Sequence, residues 1–275
     1  MIRYNRRFQI ATGLVALLLA VLLTGCSDDP ITAPHGDGDP ADPTAAPALP
    51  DPGLLSIDLG FFDAAKQEKI GRQNFYNAYL RAVIVTATTQ LVLAPPVGAF
   101  ALALHTIPSL QPDGSWIWVY THVRGSHEVQ IRLRAEFLDG DAVAWAMRIF
   151  VPAAGIENRL WFDGTTEDEG RQGQWTFYDI DVAEGLAIGA VSWHDEGAAH
   201  ELRLDVLHGP AAGDALTFTV TGDQHRIDYQ DADPDTVWFI RWNVADNTGS
   251  LQVPGYRNGV ESCWDEEFYD VDCGG

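Results

Sequence analysis

From Gly114 to the end of the chain, apolar and polar residues alternate with a period of two, and this pattern restricts the fold more than any other feature of the sequence. Residues 128–137 are the clearest case. Val129, Ile131, Leu133, Ala135 and Phe137 fall on one side, and Glu128, Gln130, Arg132, Arg134 and Glu136 on the other. Successive side chains of a strand point to opposite faces, so such a run has one face in a core and one in water, as antiparallel strands do. Similar runs occur at 115–123, 142–151, 174–180, 186–193, 201–207, 216–221 and 236–244. Turn-forming pairs separate many of them: Asp139-Gly140, Asp163-Gly164, Glu184-Gly185, Gly213-Asp214 and Gly222-Asp223. Connections this short leave no room for crossover helices, so an antiparallel meander is expected.

Upstream the period changes. Tyr76, Tyr79, Leu80, Val83, Ala87 and Leu91 recur every three or four residues after Asp63, a candidate N-cap, which predicts a helix that Pro95-Pro96 ends. A second apolar stretch, 97–107, follows, and residues 82–107 contain no charge. The stretch could insert into a membrane as a hairpin, but the proline pair and the scattered threonines favour burial against a sheet. The expected fold is therefore α+β and mainly β: one domain over 54–275, in which a curved antiparallel meander or barrel-like sheet packs on an N-terminal helix.

The other end of the sequence concerns location. Arg3, Arg6 and Arg7 precede an uncharged run at 11–23, and Leu23-Thr24-Gly25-Cys26 closes it. This is the layout of a secretory signal peptide over 1–25, and its apolar run is short for a permanent span of about 20 residues. The tetrad resembles the lipobox of bacterial lipoproteins. That resemblance covers this segment only. It implies a diacylglyceryl thioether on Cys26 and an acylated amino group, with palmitate-type chains, and more than one chain is what stable anchoring needs. Ser27 in place of Asp after the cysteine resembles the pattern passed on to an outer membrane, and Asp28-Asp29 resembles the acidic export signal of some surface-exposed lipoproteins. Residues 26–53 then read as the lipidated cysteine and a disordered tether rich in Pro, Ala and Asp, in which His35 is solvated. With one of three cysteines carrying lipid, Cys263 and Cys273 remain, in a compartment where disulfides persist, and are expected to be bridged.

Loss of the three leader arginines takes the formal charge from −22 to −25, which makes nucleic acid and anionic lipid headgroups poor partners. The search for an active site returns no catalytic residues. His127-Glu128 and His200-Glu201 lack the second histidine of a zinc-protease helix, Gly125-Ser126-His127 lacks the second glycine of a nucleophile elbow, and there is no phosphate-binding glycine loop. Carboxylates are too numerous for a glycosidase pair to be singled out. Two acidic loops could wrap Ca2+: Asp231, Asp233 and Asp235 on alternate residues of a turn, and the cluster Glu167-Asp168-Glu169. Neither completes an EF-hand, so no cofactor is expected beyond that calcium option.

Aromatic residues are abundant, with nine Trp in the chain, and Gly114-Ser-Trp116 is echoed by Gly173-Gln-Trp175. Trp116, Trp118, Trp175, Trp238 and Trp242 are candidate ligand-binding aromatics, although stripes on one strand face more often serve cross-strand packing. The resulting expectation is a lipid-anchored envelope protein whose domain is a non-catalytic binding or structural module for a lipid, glycan or partner protein. The alternatives are a polysaccharide hydrolase with a carboxylate pair, or a membrane-active protein using 82–107.

Overall fold

The structure, a computed structural model, describes residues 45–62, 71–103, 105–124, 127–182, 185–232 and 237–274. It contains one long helix, α1 (Gln73–Ala103), and fourteen strands. The strands are β1 (Ser109–Leu110), β2 (Trp116–Arg124), β3 (His127–Phe137), β4 (Val143–Val151), β5 (Ile156–Glu167), β6 (Gln172–Tyr178) and β7 (Ala187–Asp195) in the first half. The second half adds β8 (Ala199–Val206), β9 (Ala215–Thr221), β10 (Gln224–Gln230), β11 (Val237–Asn243), β12 (Gly249–Gln252), β13 (Ser262–Trp264) and β14 (Asp270–Val271).

Every strand pairs antiparallel with its neighbours in sequence, so the order in the single sheet runs β1 to β14 without a crossover. The fold is α+β and mainly β, as the alternation predicts. The sheet is curved and open: among the described residues β1 and β14 do not pair. The alternation of β4 is complete, with every second residue from Val143 to Val151 buried. Two expectations fail. The Asp163-Gly164 pair lies inside β5 rather than at a turn, where Gly164 faces Trp145 on one side and Trp175 on the other. Pro95-Pro96 does not end the helix, which continues to Ala103. Prolines remove two N–H donors from the interior of a helix. Here both flanking parts are anchored: Phe75, Ala78, Ala82 and Val85 are buried before the prolines, and Phe100 and Ala103 after them.

The helix lies across the strands on one face of the sheet. Phe75, near its start, stacks on Phe268 with centroids 4.2 Å apart and leans on Trp264 of β13 at 5.6 Å. Phe100, near its end, stacks on Trp175 of β6 at 5.0 Å and meets Trp145 of β4 edge-on at 5.3 Å. The two phenylalanines are 25 residues apart in sequence, about 38 Å of helix, which is about the width of the eight strand spacings from β5 to β13. The start of the helix is clasped by Asn74, which is fully buried: its side-chain N–H donates to the Cys263 carbonyl (2.6 Å), its side-chain oxygen accepts from the Tyr256 hydroxyl (2.8 Å), and its backbone N–H donates to Asp270 (2.8 Å). The candidate N-cap Asp63 lies outside the described residues.

Five tryptophans of this inner face have glycines opposite them. Trp145, Gly164 and Trp175 form one register row, Gly173 and Trp193 another, and Trp242, Gly249 and Trp264 a third. A Cβ on Gly249 would stand 2.2 Å from the Trp264 ring, and one on Gly173 2.5 Å from the Trp193 ring. The indoles thus occupy the space that a side chain on the neighbouring strand would fill.

The chain ahead of α1 also rests on this face. Pro47 and Pro50 are buried, Asp51 caps a 3-10 turn at Pro52–Leu55, and Phe61 and Phe62 pack on Trp242 at 5.9 and 5.0 Å. The last residues of the proline-rich stretch are therefore seated on the sheet.

Candidate functional site

The far face of β10–β14, opposite α1, carries a groove. Register sets its floor: Arg241, Ser250, Cys263 and Val271 lie in one row across β11–β14, with Gln224 of β10 and Asn243 paired in a row beside it at the strand ends. Thr248 closes the β11–β12 hairpin above Asn243, whose backbone N–H donates to the Thr248 carbonyl at 2.9 Å. The C-terminal residues 271–274 form a wall, pinned by the bond between Cys263 and Cys273, whose Cα atoms are 5.3 Å apart. The groove measures about 490 Å³ and also borders Trp242, Trp264 and Asp272. That is within the usual range for small-molecule sites.

Its single guanidinium is fixed in place. Arg241 donates through Nε to Ser250 Oγ (2.7 Å) and through Nη2 to Glu261 (2.5 Å), and the Ser250 hydroxyl donates to the same carboxylate oxygen (2.6 Å). Arg241 and its cross-strand partner Arg226 both lie near the Phe239 ring, with guanidinium carbons 5.8 and 4.4 Å from its centre. Arg226 in turn forks onto Asp228 with two bonds of 2.6 Å. The same spacing recurs as Arg203–Asp205 on β8 and Arg134–Glu136 on β3. Residues two apart on a strand share a face, so an Arg-x-acid pattern pairs its charges along the outer surface.

Elsewhere the acids serve turns and hydroxyls. Asp113 and Asp246 are held below the ordinary carboxylate value, Asp113 first by the Ser115 hydroxyl and Asp246 first by the Thr248 backbone N–H. A general acid working at neutral pH needs the opposite displacement. Tyr229 is raised by burial and by donating to Asp214, which also accepts the Ala232 N–H at 2.9 Å. His200 and His225, on the inner face, are both lowered mainly by burial. Asp195 and Glu201 oppose that shift at His200, as Asp58 and Asp223 do at His225.

Of the sequence candidates, Cys26 lies outside the described residues, and Cys263 and Cys273 are bonded to each other. Trp116, Trp118, Trp175 and Trp242 are buried in the core, while Trp238 is half-buried and stacks on Tyr229 at 5.1 Å. In the calcium loop only Asp231 is described; Asp233 and Asp235 lie outside. Glu167 accepts from Gln172 at 3.3 Å, and Asp168 pairs with Arg171 at 2.5 Å. His127-Glu128 and His200-Glu201 lie in β3 and β8, where their alternation put them. Among the described residues, one group has metal-ligand spacing, Glu261 with Cys263 and Cys273, and its sulfurs are spent on each other. The groove residues Gln224, Arg241, Asn243 and Thr248 carry no signal in the sequence because they come from β10, β11 and the β11–β12 turn, which only register brings together.

In comparisons with protein-family models, with curated proteins and with solved structures, no match to this chain was found.

Proposed function

We propose that the chain is a lipoprotein of the cell envelope, held in the outer membrane by lipid on Cys26, whose β-rich domain is a non-catalytic binding or structural module for a lipid, glycan or envelope protein. The observation that carries this reading is the bonded pair Cys263–Cys273, which leaves Cys26 as the one cysteine to receive lipid. Disulfides form and persist outside the cytoplasm, and the bridged pair gives the leader and tetrad at 1–26 a matching compartment. The way the chain enters the domain agrees with tethering: residues 45–62 lie against the sheet before α1 begins, so a pull on the tether is resisted by buried Pro47, Pro50, Leu55 and Phe62.

The binding part of the reading rests on where space is left. Rings and α1 occupy the inner face at both ends of the helix, whereas the groove on the far face is open and bordered by hydrogen-bonding side chains. Feeding cells labelled palmitate tests the anchor. Label should enter the native chain and be lost in Cys26→Ser, which should also move from the membrane to the soluble fraction. An unlabelled native chain with an intact leader would overturn the proposal.

A further inference from the structure

We infer that the groove between β11 and the disulfide-pinned C-terminal wall takes a neutral, hydroxyl-rich ligand, of which a sugar is the simplest form. This rests on the reading of the domain as a binding module and names the chemistry of its site.

The hydrogen-bonding groups of the lining decide what fits. The Asn243 side-chain oxygen is used by the backbone N–H groups of Ala245 (2.7 Å) and Asp246 (3.4 Å), so what it has left for the groove is its N–H2. Arg241 has given its Nε–H to Ser250 and one Nη2–H to Glu261, which leaves Nη1 and the second Nη2–H. Thr248 gives its hydroxyl proton to Asp246 at 2.8 Å and keeps its lone pairs. Gln224, exposed at the end of β10, brings both a donor and an acceptor, and Asp272 brings acceptors. The lining thus holds both donors and acceptors, and a group that both gives and takes hydrogen bonds satisfies them: the hydroxyl.

Charge narrows the choice further. Glu261 already neutralises Arg241, so the uncompensated charge at the rim is Asp272, and the chain as a whole stands at −22. An anionic ligand is repelled at short range by Asp272 and at long range by the chain. An apolar ligand would strand the amides and the guanidinium without water, which is costly. The wall provides what a sugar also needs, since Val271 and the Cys263–Cys273 sulfurs offer an apolar strip for the C–H face of a ring.

The test uses the full lipidated chain in a detergent without a sugar headgroup. Glucose, galactose, maltose and lactose serve as neutral probes, with glucuronate and glucosamine as charged counterparts of the same shape. Binding is read by calorimetry. At least one neutral sugar should saturate and bind at least tenfold more tightly than glucuronate. Gln224→Leu, which removes an amide, and Val271→Trp, which fills the opening, should each weaken it at least tenfold. Two variants keep the test sound if one misfolds. Saturation by no neutral sugar, tighter binding of a charged counterpart, or binding unchanged in both variants would each overturn the inference. Palmitate labelling with no sugar bound would sink this inference alone, and sugar bound by an unlabelled chain would sink the anchor alone.

Discussion

Replacing Gly249 by alanine adds one methyl group to β12, and the register makes its consequence calculable. At an open strand position the change would help by about 0.5 to 1 kcal/mol, because glycine loses more backbone freedom on folding. At Gly249 the new carbon would lie 2.2 Å from the Trp264 ring and 2.5 Å from the Arg241 carbonyl oxygen. Carbon atoms pack best at about 3.5 to 4.0 Å, so the indole would have to retreat by about 1 Å or more. It has nowhere to go: its N–H is bonded to the Asn247 carbonyl at 2.9 Å and its ring lies against Phe75. Overpacking of a tight core costs about 1 to 3 kcal/mol, and a pinned ring puts Gly249→Ala at the upper end, about 2 to 3 kcal/mol. For a domain of this size that is a fall in Tm of about 5 to 10 °C. The assay is urea unfolding with a thermal scan, run beside Gly189→Ala. A Cβ on Gly189 meets only the Asp205 carbonyl at 3.4 Å, an ordinary contact, so that variant should be neutral or slightly more stable. If Gly249→Ala matched Gly189→Ala, the claim that tryptophans fill the glycine spaces would be wrong.

Phe100→Ala should cost about 3 to 5 kcal/mol and shift tryptophan emission to the red, because the lost ring covers both Trp145 and Trp175; unchanged emission would mean that α1 does not dock there. Cys263→Ser with Cys273→Ser should lower stability by about 2 to 3 kcal/mol, from the entropy of a short closed loop, and free thiols titrated in the unreduced native chain would contradict the bridge. His200 and His225 have folded values depressed by burial, so the unfolded chain takes up protons first as pH falls. Their contribution is complete above the ordinary histidine value of about 6.5 and is lost as pH drops from there towards the folded values. Urea midpoints between pH 7.5 and 5 should fall, and fall less in His225→Gln; equal slopes would refute the assignment.

How much of this was legible beforehand depends on how local the cause was. β3 is readable because ten residues alternate without interruption, whereas β4 alternates in burial although Arg148 is its one polar residue. β5 is hidden in the sequence because Asp163-Gly164 carries the chemistry of a turn, whereas its glycine answers to Trp145 and Trp175 on the neighbouring strands β4 and β6, a relation that only the register reveals. β12, β13 and β14 run two to four residues, too short to show a period. The proline pair was read by its local penalty, and contacts at Phe75 and Phe100 outweighed it. The echo of Gly114-Ser-Trp116 in Gly173-Gln-Trp175 marks no shared role: a Cβ on Gly114 would meet nothing within 4 Å, whereas Gly173 faces Trp193 across the β6–β7 pair. The groove had no local signature at all.

The topology also has a consequence for how the chain acquires its shape. Because each strand pairs with the next, the sheet can grow hairpin by hairpin in the order of synthesis, with every closure short-range. The start of α1 is different: the three partners of Asn74, Cys263, Asp270 and Tyr256, lie 182 to 196 residues downstream, and those of Phe75 lie in the same last strands and turns. A helix that appears near the beginning therefore waits for the final strands before its first turn is secured, and a chain truncated ahead of β13 would expose Phe75 to whatever apolar surface it meets.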